Sequence, residues 1–183
     1  MIGQLSQLLR LSLRTSHAQE VPLRDELEVL DCYLGLMRAR LGNRLHATVH
    51  ADPDVLDTLV PSLVLQPLVE NAISHGNASH ASGGRVTVRA SRTGDSVKLD
   101  VADDGPGAPL GTDVFGKGVG LSATRDRVRL LYGAAQEFDA RNRDGGFAVT
   151  ITLPYRRSSS ALATPDAELV NVDAVEKSVV AAS

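Results

Sequence analysis

Residues 103–107 read DDGPG, two carboxylates and then Gly-Pro-Gly, directly after the alternating stretch SVKLDVA at 96–102. Alternation of apolar and polar residues marks a half-buried strand, and Gly and Pro end it. A turn explains the glycines. It explains neither the two acids nor a second glycine-dense segment, GKGVG at 116–120. A carboxylate at a strand end is an acceptor only, so it selects a donor such as the exocyclic amine of adenine. Guanine would present a carbonyl oxygen there and be repelled. Glycines alongside let the backbone approach a flat ring without a Cβ in the way.

Working outward, GKGVGL leads into a helical pattern, and a helix start offers free N–H groups and a positive dipole end to phosphate oxygens. Two familiar phosphate signatures do not fit. GTDVFGKG at 111–118 places Gly111, Gly116 and Lys117 as a P-loop would, but has Gly118 where Ser or Thr should hold magnesium. The dinucleotide fingerprint needs a different glycine spacing inside a βαβ unit. On the other side of DDGPG, residues 61–76 read as a helix. Leu65, Leu68, Val69, Ala72 and Ile73 fall on one face, and Glu70, Asn71, Ser74 and His75 on the other. That polar face carries no Lys or Arg, and Asn is a poor helix former, so its amide has a task there. A neutral carbonyl oxygen suits a hard divalent cation already half-coordinated by phosphates. Singly, each segment also reads as a solvated helix face, a turn or a surface loop. It is their order within about fifty residues that carries weight.

Composition bounds the class. The chain has 183 residues, 43% apolar and 22% charged, enough for one ordinary globular core. Aromatic residues are 3% and Trp is absent, so the core is aliphatic. A net charge of −3 without a basic block argues against nucleic acid as the main partner. The single cysteine, Cys32, excludes a disulfide framework and fits a reducing compartment. No run of about 18 apolar residues reads as a membrane span.

The remaining chain supplies the frame. Leu5, Leu8, Leu9 and Leu13 have helical spacing, and after a break at TSHAQEV a second helix runs from Pro22 to Gly42. Its Leu23, Leu27, Leu30, Leu34, Met37 and Leu41 form a narrow seam, suited to a partner helix or to burial on the chain's own domain. LHATVH at 45–50 alternates as a strand. RVTVRASR and SVKLDVAD form a hairpin about Thr93-Gly94-Asp95, with Val86, Val88, Val97, Leu99 and Val101 inward. VGLSATRDRVRLLYG is a helix with Leu121, Val128, Leu131 and Tyr132 on one stripe, and Gly133 its cap. QEFDARNR and FAVTITLP make a second hairpin about Asp144-Gly145-Gly146. The expected fold is α+β, antiparallel strands covered on one face by helices, with a mobile tail from residue 156.

ENAISHG, DDGPG and GKGVGLSATRDRVRLLYG resemble, in order, the N box and two glycine boxes of the GHKL (Bergerat-fold) ATP-binding superfamily of gyrase, MutL and histidine kinases. With the upstream LRDELEVLDCYLGLMRARLGNRL, the chain looks more narrowly like the LytS-like sensor histidine kinases over residues 1–155. The resemblance implies a two-layer α/β sandwich at 45–155 with an ATP pocket, and a helical segment at 1–44 resembling the later part of a dimerisation module. It implies that Asn71 coordinates Mg2+ bridging the phosphates, with Glu70 ordering that catalytic site. Asp103 would accept the adenine amine, with Gly105 and Gly107 shaping the pocket floor. Gly116, Gly118 and Gly120 would wrap the triphosphate, Lys117 would neutralise part of its charge, Leu121 belongs to the same box, and His75 would line the phosphate end.

Several positions depart from the family pattern. Ser74 replaces a basic residue that relatives often carry, and Phe147 follows Gly146 where many carry Thr. The P-H-F acceptor segment is absent: none of His17, His46, His50, His75 and His80 lies in that context. Pro67 stands four residues before Asn71, where gyrase-like relatives place a water-activating Glu, so hydrolysis by that route is not expected. The leading expectation is a cytoplasmic ATP-binding catalytic part of a two-component sensor histidine kinase. It would donate phosphate to a histidine in a phosphoacceptor domain outside this chain, signal to a response regulator, and dimerise through the N-terminal helices. A catalytically silent nucleotide-binding interaction module is the alternative. An anti-sigma-type serine kinase would share the pocket but not the leucine-seamed helices.

Overall fold

The computed structural model describes residues 10, 18–76, 83–109, 111, 112, 114, 115 and 119–158. Apart from Arg10, the expected Leu5–Leu13 helix and everything after Ser158 lie outside them. Helix α1 spans Leu23–Leu41, α2 Leu65–His75 and α3 Val119–Tyr132. The strands are β1 (Glu20–Pro22), β2 (Leu45–Ala51), β3 (Leu59–Pro61), β4 (Gly84–Thr93), β5 (Ser96–Asp103), β6 (Glu137–Arg143) and β7 (Gly146–Pro154).

Five strands form one sheet in the order β2-β4-β5-β7-β6. Both expected hairpins are present, β4 with β5 and β6 with β7, and β5 pairs antiparallel with β7. One pairing departs from the all-antiparallel expectation: β2 runs parallel to β4. A parallel pair needs a long crossover, and here the crossover contains α2. Local alternation reports which residues point inward but says nothing of strand direction, so this pairing could not be read.

The helices lie on one face. Period-2 positions Val86, Val88, Val97, Leu99, Val101, Val149, Ile151 and Leu153 meet Leu65, Leu68, Val69, Ala72 and Ile73 of α2, all buried. At about 1.5–3 kcal/mol for each fully buried aliphatic side chain, this layer is the main stabilising term. α2 occupies the centre, touching α1, α3 and strands β4, β5 and β7. The seam of α1 is used by the chain's own core: Leu23, Leu30 and Leu34 are buried in the same cluster, and Leu27, Met37 and Leu41 pack against it. Residues 23–41 thus share a core with residues 45–155.

Two short strands were not foreseen. Glu20–Pro22, inside the expected break, pairs antiparallel with Leu59–Pro61. The helix expected from 61 therefore starts at Leu65, because Pro61 ends a strand and Leu63 sits at φ 54. The chain also stays attached beyond the expected start of the tail. Leu59 N–H donates to Arg156 O at 2.7 Å, Ser158 N–H to Asp57 O at 2.9 Å, and Thr58 bridges Arg157. Glu20 accepts hydrogen bonds from both Tyr132 and Arg156, so this clasp ties β1, α3 and the end of the sheet together.

Candidate functional site

Strand β5 ends at Asp103, and β7 begins beside it with Phe147 in register. The two acids of DDGPG do different work. Asp104 pins the turn to β4: its N–H donates to Arg85 O at 3.2 Å, and its carboxylate accepts Arg85 N–H at 2.8 Å. Asp103 folds back instead, its Oδ1 accepting the Gly105 amide at 2.8 Å. Burial pushes the Asp103 carboxyl above the ordinary range, and the Asp104 charge adds to this; the Gly105 and Phe147 amides and the nearby His75 oppose it.

Three glycines crowd this residue, two against its side chain and one against its backbone carbonyl. A Cβ on Gly105 would stand 2.6 Å from Gly76 Cα and 2.8 Å from Asp103 Oδ1. A Cβ on Gly76 would stand 2.4 Å from Ala72 O and 3.0 Å from Asp103 Cβ. On Gly146 it would stand 1.7 Å from Asp103 O. The end of α2, the end of β5 and the start of β7 therefore converge more closely than any side chain permits. Gly107, at φ +73, has its own neighbour: a Cβ there would be 2.6 Å from Asn142 Oδ1. The Asn142 amide grips the loop like a strand partner, accepting from Ala108 N–H and donating to Ala108 O, both at 2.8 Å.

α2 presents the second half of the site. Asn71 is half-buried, and its side chain makes no hydrogen bond among the described residues. Glu70 accepts from Gln66 Nε2 at 2.8 Å and faces Tyr33 of α1, whose hydroxyl burial and the Glu70 charge push up to about 12. His75 is exposed at the end of α2 close to Asp103, one turn beyond Asn71. Gly120 opens α3, where a Cβ would meet nothing within 4 Å, so sterics do not demand glycine there. Leu121 is buried in the core and anchors α3. Gly116, Lys117 and Gly118 lie outside the described residues. Just before them, the Phe115 ring meets Phe138 edge-on at 6.0 Å with the Arg125 guanidinium 4.1 Å over it, which ties this stretch to β6 and α3.

Sequence reasoning passed over four members of this site. Gly76 passed as the last residue of the 61–76 helix and Gly146 as part of a hairpin turn, because only the folded chain shows what lies opposite them. Asn142 left no signal within an alternating strand. Glu26, a carboxylate in phase with Leu23 and Leu30, did leave one: a charge on a buried stripe. The residues present suit a purine nucleotide with its cation. Glycine at 76, 105 and 146 lets three backbone segments close around an acceptor, Asp103; Asn71, whose amide has no partner among the described residues, lies five residues before Gly76 on the same helix.

A helix-backed sheet with such a cradle defines a nucleotide-binding domain. Residues 57–157 match the family described as histidine kinase-, DNA gyrase B- and HSP90-like ATPases, and residues 1–45 match a histidine kinase family. The chain belongs to that family of ATPases and carries the ATP-binding catalytic domain of the sensor histidine kinase type. It is 34% identical over 165 residues to the sensor protein LytS of Oceanobacillus iheyensis, covering 84% of this chain and 28% of that protein. It is 30% identical to the sensor histidine kinase YpdA of Escherichia coli, covering 88% of this chain and 29% of that one. The chain thus spans under a third of the length of these relatives. Among solved structures, the catalytic domain of histidine kinase ThkA has a TM-score of 0.61 at 20% identity, with 76% of this chain and 97% of that one covered. The blue-light activated histidine kinase domain of Erythrobacter litoralis has a TM-score of 0.58 at 22% identity, with 84% and 74% covered. No helix among the described residues is long and apolar enough to cross a membrane.

Proposed function

We propose that this chain binds Mg-ATP between Asp103 and Asn71 and presents the γ-phosphate to a histidine outside the chain. The observation that carries the reading is the triple-glycine cradle around Asp103, set one helical turn from a free Asn71 amide. Asp103 Oδ2 accepts the adenine amine while Gly105 N–H holds Oδ1. Gly76 and Gly146 let the end of α2 and the start of β7 pack against Asp103 and so fix its place. Asn71 supplies a carbonyl oxygen to magnesium, which neutralises phosphate charge when bound. Gly116, Lys117 and Gly118, with Gly120, cover the phosphates.

Phosphoryl transfer asks a protein mainly for positioning and charge stabilisation. This chain offers groups for both, and the helix bearing Asn71 offers no free acid to activate water. The first turn of α2 has no acid, Pro67 being there, and Glu70 is engaged by Gln66. Transfer to an imidazole is therefore favoured over hydrolysis. The acceptor domain, the response regulator, pairing through the N-terminal helices and a cytoplasmic setting belong to this reading.

Calorimetry with Mg-ATP tests it: micromolar to millimolar binding is expected, abolished or weakened at least tenfold in Asp103→Asn. Unchanged affinity in that variant refutes the assignment. The silent-module reading gains from Phe147, which is buried beside Asp103 in place of a small polar group. Labelled ATP mixed with an acceptor-containing fragment separates the two, since label on histidine excludes a silent module.

A further inference from the structure

Glu26 is an acid on the buried stripe of α1, 2% exposed among Leu23, Val29 and Leu30. A carboxylate there is tolerated only if its oxygens are satisfied. They are satisfied by another element. Leu63 N–H donates to Oε1; Val64 and Leu65 N–H donate to Oε2 at 2.8 and 3.2 Å. These amides open α2, and helix starts normally find their acceptor in a local side chain. α2 has no such cap; its acceptor arrives from 37 to 39 residues away, on a different helix. The same contact holds Leu63 at φ 54, a conformation unfavourable for leucine. From the other side, Arg127 of α3 donates to Ser62 O in the same turn. Burial raises the Glu26 carboxyl, against the three amides and the Arg127 charge, which lower it.

This turn is thus clamped by α1 and α3 together, and the helix it starts is the one bearing Asn71, six residues beyond Leu65. We propose that Glu26 is a positioning residue for the nucleotide site: through the opening amides of α2 it sets where Asn71 stands, so that α1 and the metal end of the pocket move as one. The inference rests on the Mg-ATP reading given above. It adds that α1 holds the start of the helix bearing Asn71, through one carboxylate.

Glu26→Gln keeps the shape but leaves one acceptor oxygen and turns an NH2 toward amide donors, so the turn must shift. The measurement is ATP affinity of the 183-residue chain by calorimetry, with and without Mg2+, alongside thermal denaturation. Leu153→Ala, a core truncation at the opposite end of β7, serves as the control for lost stability. Glu26→Gln should bind Mg-ATP at least tenfold more weakly, with the enhancement by Mg2+ falling toward one. Leu153→Ala should melt earlier with both quantities unchanged. Folded Glu26→Gln with wild-type affinity and wild-type Mg2+ enhancement overturns the proposal. So does a loss that Leu153→Ala shares in proportion to its lowered Tm. Should Glu26→Gln not fold, Arg127→Met is read by the same two criteria. Wild-type chain that binds no ATP refutes the nucleotide reading itself, whereas wild-type binding beside an indifferent Glu26→Gln refutes only the positioning role.

Discussion

Replacing Gly105 by alanine adds one methyl group at the closest approach in the site. Its Cβ would stand 2.6 Å from Gly76 Cα, 2.8 Å from Asp103 Oδ1 and 3.1 Å from His75 O. Ordinary contact begins at 3.4 Å, so the end of α2 and the end of β5 must separate by most of an ångström. Two of the three obstacles are backbone and cannot rotate away. The φ of Gly105 is not in the left-handed region, so the penalty is steric and not conformational. Overpacking of this kind costs about 1–3 kcal/mol. Moving residue 105 outward also lengthens its hydrogen bond to Asp103, worth about 0.5–1.5 kcal/mol. If the purine reads the geometry of Asp103, the second loss falls on binding, together with part of the first. At about 1.4 kcal/mol per decade, ATP affinity should drop roughly ten- to a hundredfold. Tm should fall by a few degrees. Gly94→Ala is the control: φ is +60 there but nothing lies within 4 Å, so it strains a remote turn and leaves binding intact. Calorimetry on the folded Gly105→Ala chain decides. An affinity within twofold of wild type would mean that the cradle is a packing device and not a ligand site.

Acidity provides a further check. Because burial raises the Asp103 carboxyl, ATP affinity should fall on acidification sooner than an ordinary carboxylate allows, and Asp103→Asn should flatten that profile in a pH series of titrations. The linked stability has the opposite sense: a raised native pKa stabilises the fold below the unfolded value and loses that contribution as pH rises through the native one. Asp103→Asn should therefore gain stability relative to wild type as pH increases, read from denaturant midpoints. Asn142→Ala removes both bonds to Ala108, and amide exchange at Ala108 should accelerate several-fold while Tm changes by a degree or two. Pro67→Glu places an acid in the first turn of α2, four residues before Asn71; phosphate release from ATP should rise measurably, and no rise would remove the account of why this chain favours transfer over hydrolysis.

The parts legible from sequence are those governed by local periodicity. The inward valines of β4 and β5, the apolar face of α2 and the cap at Gly133 follow from spacing alone, and all are where spacing put them. What escaped reading depends on partners far along the chain. The strand Glu20–Pro22 exists only because Leu59–Pro61 lies beside it, and three residues are too few to show alternation. The parallel registry of β2 with β4 has no local mark. Asp103 could be singled out, since an acid before glycines at a strand end is chemically pointed. Gly76 and Gly146 could not, because their necessity is a property of the 103–105 backbone opposite them.

The geometry makes α2 the measuring element of the site. Asn71 and Gly76 lie five residues apart on one helix, about 7.5 Å along its axis. If Asp103 reads the purine and Asn71 the cation, as proposed, then the helical rise from the middle of α2 to its C-terminal end, not loop conformation, sets the distance between base and cation. A displacement at the start of α2 carries Asn71 and Gly76 with it, and the contacts that resist it are Glu26 from α1 and Arg127 from α3. On that assignment, occupancy by nucleotide and the position of α1 are linked through α2. A ligand that prefers one position of α2 must, by the same free energy, favour one position of α1.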